Sequence, residues 1–184
     1  MKNKFMLLPL AVLLASSSSF AASTGTVNFN GSVTDTTCDL VVLNNDGTQA
    51  NDIDLGIVSA TTLTGAAAKS EDVNFTLRPA TGAAQACTDG SKTLELTFTG
   101  PWDSSNNLAN ENGTARGVSV KLEGMTTGNN WQTFSANHQT VDRMDLAANT
   151  GAISLRAHMV PTGGGAAVTA GSVTSHATFS AVYK

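Results

Sequence analysis

The sequence predicts an all-β fold, an antiparallel β-sandwich, and three observations support this prediction. Apolar residues alternate with polar ones in segment after segment, which is the pattern of strands with one buried face. Helical periodicity is nowhere sustained. Runs of turn-forming residues separate the alternating segments, as in sandwiches built from short antiparallel strands.

The chain opens with the layout of a secretory signal peptide. Two lysines among the first four residues precede an apolar run over residues 5–15, and Ser19 and Ala21 supply the small residues that cleavage needs. The apolar run is too short to span a bilayer. We therefore expect removal of residues 1–21, leaving residues 22–184 as one domain.

Seven alternating sets follow in chain order, and each is expected to place its apolar side chains on one face of a strand. They are Val27/Phe29, Ile53/Leu55/Ile57, Val73/Phe75/Leu77, Leu94/Leu96/Phe98, Val118/Val120/Leu122, Ile153/Leu155/Ala157/Met159 and Ala177/Phe179/Ala181/Tyr183. The intervening turn signals are Asn44 to Gly47, Thr81 to Gly82, Asp103 to Asn107, Gly128 to Asn130 and Pro161 to Gly165.

Charge and composition limit the partners that the chain can have. The whole chain carries a net charge of −4, and loss of the two leader lysines makes the mature chain more acidic. Nucleic acids and anionic membranes are therefore not expected as partners. Only 13% of the residues are charged, which suits a packed extracellular polymer.

Cys38 and Cys87 are the two cysteines of the chain. Export implies an oxidising compartment, so we expect them to form a single disulfide. Closing a loop of about 50 residues would stabilise the fold by roughly 4 kcal/mol in the chain-entropy model.

Both ends of the mature chain carry a recognisable pattern. Near the start, the stretch from Thr26 to Val33 alternates apolar residues, includes a glycine and precedes Cys38; the end, from Ala177 to Lys184, alternates again and has a penultimate tyrosine. In both respects the sequence resembles the pilins of the chaperone–usher pathway, the type 1 fimbria-like family. The resemblance covers essentially the whole mature chain.

The resemblance implies an incomplete immunoglobulin-like sandwich that lacks its last strand. A hydrophobic groove would then lie open beside the C-terminal strand. The partners implied are a periplasmic chaperone that first fills the groove, an outer-membrane usher, and other fimbrial subunits, of which the next one replaces the chaperone with its N-terminal strand. The chain would pass through the periplasm to a surface fimbria used in cell adhesion.

The candidate donor strand is the segment 22–30. One face carries Ser23, Gly25, Val27 and Phe29, and only this face is apolar enough to fill a groove, with Gly25 placed where no side chain fits. The alternative is that the segment is the first strand of a complete sandwich. At the other end, the resemblance implies that Phe179, Ala181 and Tyr183 line the groove edge and contact the chaperone; the alternative is an ordinary core strand.

Other chemistry finds little support in the sequence. His138, His158 and His176 are scattered and have no acidic residue at ligand spacing, so we expect neither a metal site nor a cofactor, and we expect His158 on a solvent-facing side of its strand. No nucleophile or phosphate-binding motif appears, so an enzyme is not expected.

Trp102 and Trp131 stand beside turns, where an exposed indole could stack on a host glycan; buried tryptophans are the alternative. Two functions are thus weighed: a structural shaft subunit and a single-domain adhesin or tip subunit that binds carbohydrate. A tip adhesin of this family typically has a second lectin domain. The mature chain is too short to hold one, which favours the shaft.

Overall fold

The structure, a computed structural model, describes residues 39–50, 52–82, 93–126, 128–137, 140–145, 152–163 and 167–183. The predicted signal peptide, the candidate donor strand 22–30 and both cysteines, Cys38 and Cys87, lie outside these residues. Within the described ranges the regular elements are all β-strands, and no helix there is long and apolar enough to cross a membrane.

Nine strands occur in the described ranges. They are β1 (Leu40–Asn44), β2 (Val73–Pro79), β3 (Thr93–Thr99), β4 (Leu108–Ala109), β5 (Val118–Thr126), β6 (Asn130–Thr133), β7 (Thr140–Asp145), β8 (Ile153–Pro161) and β9 (Thr178–Tyr183).

The strands form two antiparallel sheets. The larger sheet has the order β1-β2-β8-β5-β4, with β6 also paired to β5, and the smaller has the order β7-β3-β9. In the larger sheet β8 is central, since Phe75 of β2 lies opposite Leu155 and Leu122 of β5 lies opposite Ala157. In the smaller sheet Phe98 of β3 lies opposite Phe179 of β9.

The core lies between the inner faces of the two sheets. Its fully buried side chains include Leu77, Leu96, Ile153 and Leu155, and Phe134 follows β6 with no exposed surface. The rings of Phe98 and Phe134 meet edge to face with centroids 4.7 Å apart, a favoured aromatic geometry.

Period-two alternation predicted most of these inner faces correctly. In β8, Ile153, Leu155, Ala157 and Met159 are all buried, and in β5 Val118, Val120 and Leu122 are buried. The predicted strand at residues 53–57 is wrong, because this stretch is irregular. Gly56 has a φ of 71°, which breaks the alternation, and Ile57 is fully exposed instead of sharing a face with Ile53 and Leu55.

Candidate functional site

The described residues form an open apolar groove of about 1130 Å³. Its floor consists of core side chains from the larger sheet. These are Phe75 and Leu77 of β2, Val118, Val120 and Leu122 of β5, and Ala157 and Met159 of β8.

Two irregular segments form the sides of the groove, residues 52–60 and residues 168–177, which we call the first and the second wall. The second wall runs directly into β9, whose Phe179 also lines the groove. Among the described residues β9 pairs only with β3, so it is an edge strand of the smaller sheet.

The second wall is extended and has two different sides. Its outward side is bound to the loop 110–116, where Ala115 N donates to Ser172 O and Glu111 N donates to Thr174 O, each at 3.0 Å. The main chain of the alternating residues makes no hydrogen bond to another described residue; these are Val173, Ser175 and Ala177. Because strand residues alternate in direction, this wall offers to the groove a main-chain edge without hydrogen bonds to other described residues.

The first wall also pairs with no strand in the part of the chain that the structure describes. Ile53, Leu55 and Val58 pack their side chains against the core, while the amide of Gly56 donates to the carboxylate of Asp54 at 2.9 Å. The groove therefore has an apolar floor between two wall segments, and among the described residues neither wall pairs with a strand on its groove side.

The predicted acceptor residues lie on β9 beside this groove. Ala181 is buried and Phe179 is half-buried, with its ring centroid 6.1 Å from that of Phe98. Tyr183 pairs with Leu94 through its main chain, and its side chain lies outside the described part. The predicted donor residues Gly25, Val27 and Phe29 lie outside the described residues, so their role stays a prediction.

A family model for fimbrial proteins matches residues 27–184. The chain belongs to the fimbrial protein family. No curated protein sequence matches this fimbrial subunit closely enough to count as a relative. Because the family consists of structural proteins of extracellular fimbriae, the expectations of a non-enzyme and of a fimbrial location reached through the periplasm are confirmed.

Solved structures show the same fold. The fimbrial subunit resembles the P pilus rod subunit PapA at 24% identity and a TM-score of 0.59, over 86% of this chain and 100% of that one. It also resembles a chaperone–usher pilus rod at 24% identity and a TM-score of 0.56, over 88% and 96% of the two chains. These likenesses confirm the predicted all-β pilin fold.

A third similar structure is the CupB6 tip adhesin of Pseudomonas aeruginosa, at 19% identity and a TM-score of 0.52. The match covers 70% of the fimbrial subunit but only 38% of that adhesin.

The two tryptophans that were weighed as glycan contacts against buried packing make packing contacts in the fimbrial subunit. Trp102 is half-buried against the core, and its indole Nε1 is buried without a hydrogen-bond partner in the described residues. The ring of Trp131 lies 4.3 Å from the guanidinium carbon of Arg156, so one ring face is occupied by a cation. Glycan binding by either residue stays a prediction.

A group of charged side chains on the outer face of the larger sheet is not apparent from the sequence. Arg156 donates from Nε to Glu123 at 2.6 Å and from Nη1 to Asp72 at 3.0 Å. Glu123 is only 5% exposed and also accepts from Thr133. The three charged residues come from separate parts of the chain, so only the sheet register brings them together.

Burial and ion pairing shift the pKa of Glu123 and of Asp72 in opposite directions. Burial raises the pKa of Glu123, but hydrogen bonds from Arg156 and Lys121 and their charges outweigh it, so the pKa is lowered. For Asp72, burial again raises the pKa, and the hydrogen bond from Lys69 with the charges of Arg156 and Lys69 lowers it overall. Both groups therefore remain ionised at neutral pH.

His158 is not on a solvent-exposed surface, and that expectation was wrong. The residue does lie on the outer face of β8, but only 3% of it is exposed. Beside it, Ser70 hydrogen-bonds the main chain of Met159. Its Nδ1 lies 3.0 Å from Asp72 Oδ1 without the geometry of a hydrogen bond. Burial lowers the pKa of His158, with the charge of Asp72 acting in the opposite direction.

The other described histidine, His176, is exposed and pairs with Glu111 at 2.8 Å. His138 lies outside the described residues. Among the described residues, no group of three or more His, Cys, Asp or Glu side chains is arranged to hold a metal ion.

Proposed function

We propose that this fimbrial subunit is a structural shaft subunit that polymerises by donor-strand exchange. The segment 22–30 of one copy fills the groove of the next. The observation that carries the proposal is the open apolar groove between the first and the second wall, next to the edge strand β9.

An occupant of this groove is needed on physical grounds. An apolar groove beside an unpaired sheet edge promotes aggregation when it faces water. A partner that only covered the floor would leave the main-chain groups of Val173, Ser175 and Ala177 without hydrogen bonds. An added β-strand satisfies both requirements, since its main chain pairs with the edge and alternate side chains fill the floor.

The segment 22–30 has the pattern that such an occupant needs. Burying Val27 and Phe29 would contribute roughly 1.5–3 kcal/mol each. The opposite face, with Thr24, Thr26 and Asn28, is polar and suits the solvent side of a completed sheet.

Export would require the groove to be filled before a neighbouring subunit arrives. A periplasmic chaperone strand is proposed to occupy it first, contacting Phe179, Ala181 and Tyr183 of β9. At the outer-membrane usher, the donor strand of the next copy then replaces the chaperone strand.

The test introduces the same charge on the two faces of the candidate donor. Phe29→Asp places a carboxylate among the groove-filling side chains, and Asn28→Asp places it on the polar face. We expect the wild type and Asn28→Asp to give a ladder of heat-labile multimers on unboiled denaturing gels, and Phe29→Asp to give mainly monomer.

Deletion of residues 22–30 should abolish the ladder as well. A ladder of equal strength in Phe29→Asp and Asn28→Asp would contradict the proposed face of the donor. A wild type that is a folded monomer without any chaperone would contradict donor-strand polymerisation altogether.

A further inference from the structure

We infer that Asn110 is a positioning residue for the groove, which fixes the second wall at the place where a donor strand must pair with it. The inference rests on the proposed function. Asn110 follows β4 directly, and its side chain connects the loop 110–116 to the second wall.

All four hydrogen-bonding positions of the Asn110 amide are used. Nδ2 donates to Ala115 O at 2.9 Å and to Ser172 O at 3.2 Å. Oδ1 accepts from the amides of Gly113 at 3.0 Å and Thr174 at 2.8 Å. Two of these bonds stay in the loop and two cross to the wall, so one side chain holds the two segments together.

The side-chain carboxamide of Asn110 fits this arrangement by its chemistry. A carboxamide has two donors and an acceptor oxygen with two lone pairs, which matches two carbonyls and two amides. Asp at this position would lose both donated bonds and place a negative charge against the oxygens of Ala115 and Ser172. Ala would leave four main-chain groups without this partner.

Close packing strengthens the connection. A Cβ atom on Gly113 would overlap Asn110 Oδ1 and Ser172 O, so the loop approaches the wall more closely than other residues allow. Nearby, Ser172 N donates to Thr114 Oγ1 at 3.0 Å, and Thr114 N donates to Ser172 Oγ at 3.1 Å.

These bonds matter most when the groove is empty. The wall then has no described hydrogen bonds on its groove side, and its apolar Val173 faces a cavity that the wall would tend to close. Bonds on the outer side keep the wall in the open position. If only a fraction of molecules keeps the groove open, the apparent affinity for the donor falls by that fraction.

The Asn110 hydrogen bonds should therefore affect the rate at which the groove is filled more than the stability of the filled groove. Once a donor strand is in place, it holds the wall from the other side. A residue with a merely structural role would weaken the empty and the filled state alike.

The experiment compares Asn110→Ala with Asn112→Ala in the full mature chain. Asn112 is an exposed asparagine of the same loop whose side chain makes no hydrogen bond to another described residue, so it controls for loop composition. Each chain is unfolded in denaturant and diluted. Multimers are then followed over time on unboiled gels, relative to soluble folded monomer, and the temperature that dissociates finished multimers is recorded.

We expect Asn110→Ala to slow multimer formation by about tenfold, the effect of reducing the open fraction to a tenth, with little change in the dissociation temperature. Asn112→Ala should match the wild type in both the rate of multimer formation and the dissociation temperature. Equal rates for the two variants, or an equal loss of rate and of multimer stability in Asn110→Ala, would overturn the inference.

Thr114→Val provides a milder second variant if Asn110→Ala does not fold. It removes the hydroxyl that accepts a hydrogen bond from Ser172 N, so it should slow multimer formation by a smaller factor than Asn110→Ala does. An unchanged rate would count against the proposed role of these bonds in positioning the wall. Absence of multimers in the wild type would instead refute the proposed function, so the two failures are distinguishable.

Discussion

The Arg156 guanidinium offers a quantitative test of the charged group on the outer sheet face. Arg156→Met keeps the aliphatic stem but removes two charge-assisted hydrogen bonds, each worth about 1.5–3 kcal/mol, and the contact with Trp131, worth about 0.5–2 kcal/mol. The Arg156 side chain is 21% exposed, so water offsets part of this loss. We expect a net loss of about 3 kcal/mol, since Glu123 stays buried without its main partner.

Glu123→Gln is the matched partner variant. It removes the charge but keeps the shape, and Arg156 retains Asp72, so we expect a loss of about 1–2 kcal/mol. The double variant should be more stable than the sum of the two single losses predicts, by at least about 1 kcal/mol, because residues in direct contact are coupled. Lys69→Met, which breaks a more exposed pair with Asp72, should cost less than about 1 kcal/mol.

Urea unfolding followed by tryptophan fluorescence measures these free energies. To keep the groove in one state, all variants carry Phe29→Asp and are measured with excess synthetic peptide of residues 22–33. Additivity of the Arg156 and Glu123 variants within about 0.5 kcal/mol would refute the claim that the two charges depend on each other. The same claim would be refuted if Arg156→Met lowered the free energy of unfolding by less than about 1 kcal/mol.

Two further predictions concern the buried histidine and the aromatic core. Because burial lowers the pKa of His158 below 6.5, the unfolded chain takes up the proton first as the pH falls, so part of the stability present at pH 7.5 should be lost by about pH 5.5. His158→Gln should flatten this dependence in urea titrations at both pH values, and an unchanged pH dependence in this variant would contradict the argument. Phe134→Ala should cost about 3–5 kcal/mol in the same assay, since it empties a fully buried site beside Phe98, while Val182→Ala on the exposed side of β9 should change stability by less than about 0.5 kcal/mol. A small loss for Phe134→Ala would show that the core collapses around the missing ring.

The sequence was sufficient for features that depend on local alternation. The inner faces of β5 and β8 follow from period-two patterns because each strand is long enough to show them. The pattern failed at Ile57, because the preceding Gly56 adopts a positive φ and turns the chain. The presence of a glycine in the sequence does not show which φ it adopts. Burial of His158 could not be predicted either, since the alternation in β8 indicates only which face of the strand a residue lies on.

The candidate site was only partly accessible from the sequence. The apolar row of β9 could be predicted because it is a local pattern. The groove itself requires both walls and the strand order, and the Asn110 bonds join a loop to a wall that lies more than fifty positions further along the chain. Such long-range contacts leave no periodic trace in the sequence.

The pairing of β3 with β9 also has a kinetic consequence. Leu94 lies opposite Tyr183, so the smaller sheet closes a very long loop of chain when it forms. Contacts of this kind fold slowly, and they cannot begin until β9 has left the export machinery. For that interval β3 and the core face of the larger sheet remain uncovered in the periplasm, where other emerging copies are present. The time between emergence of β3 and docking of β9 is therefore the window in which misassembly competes with folding.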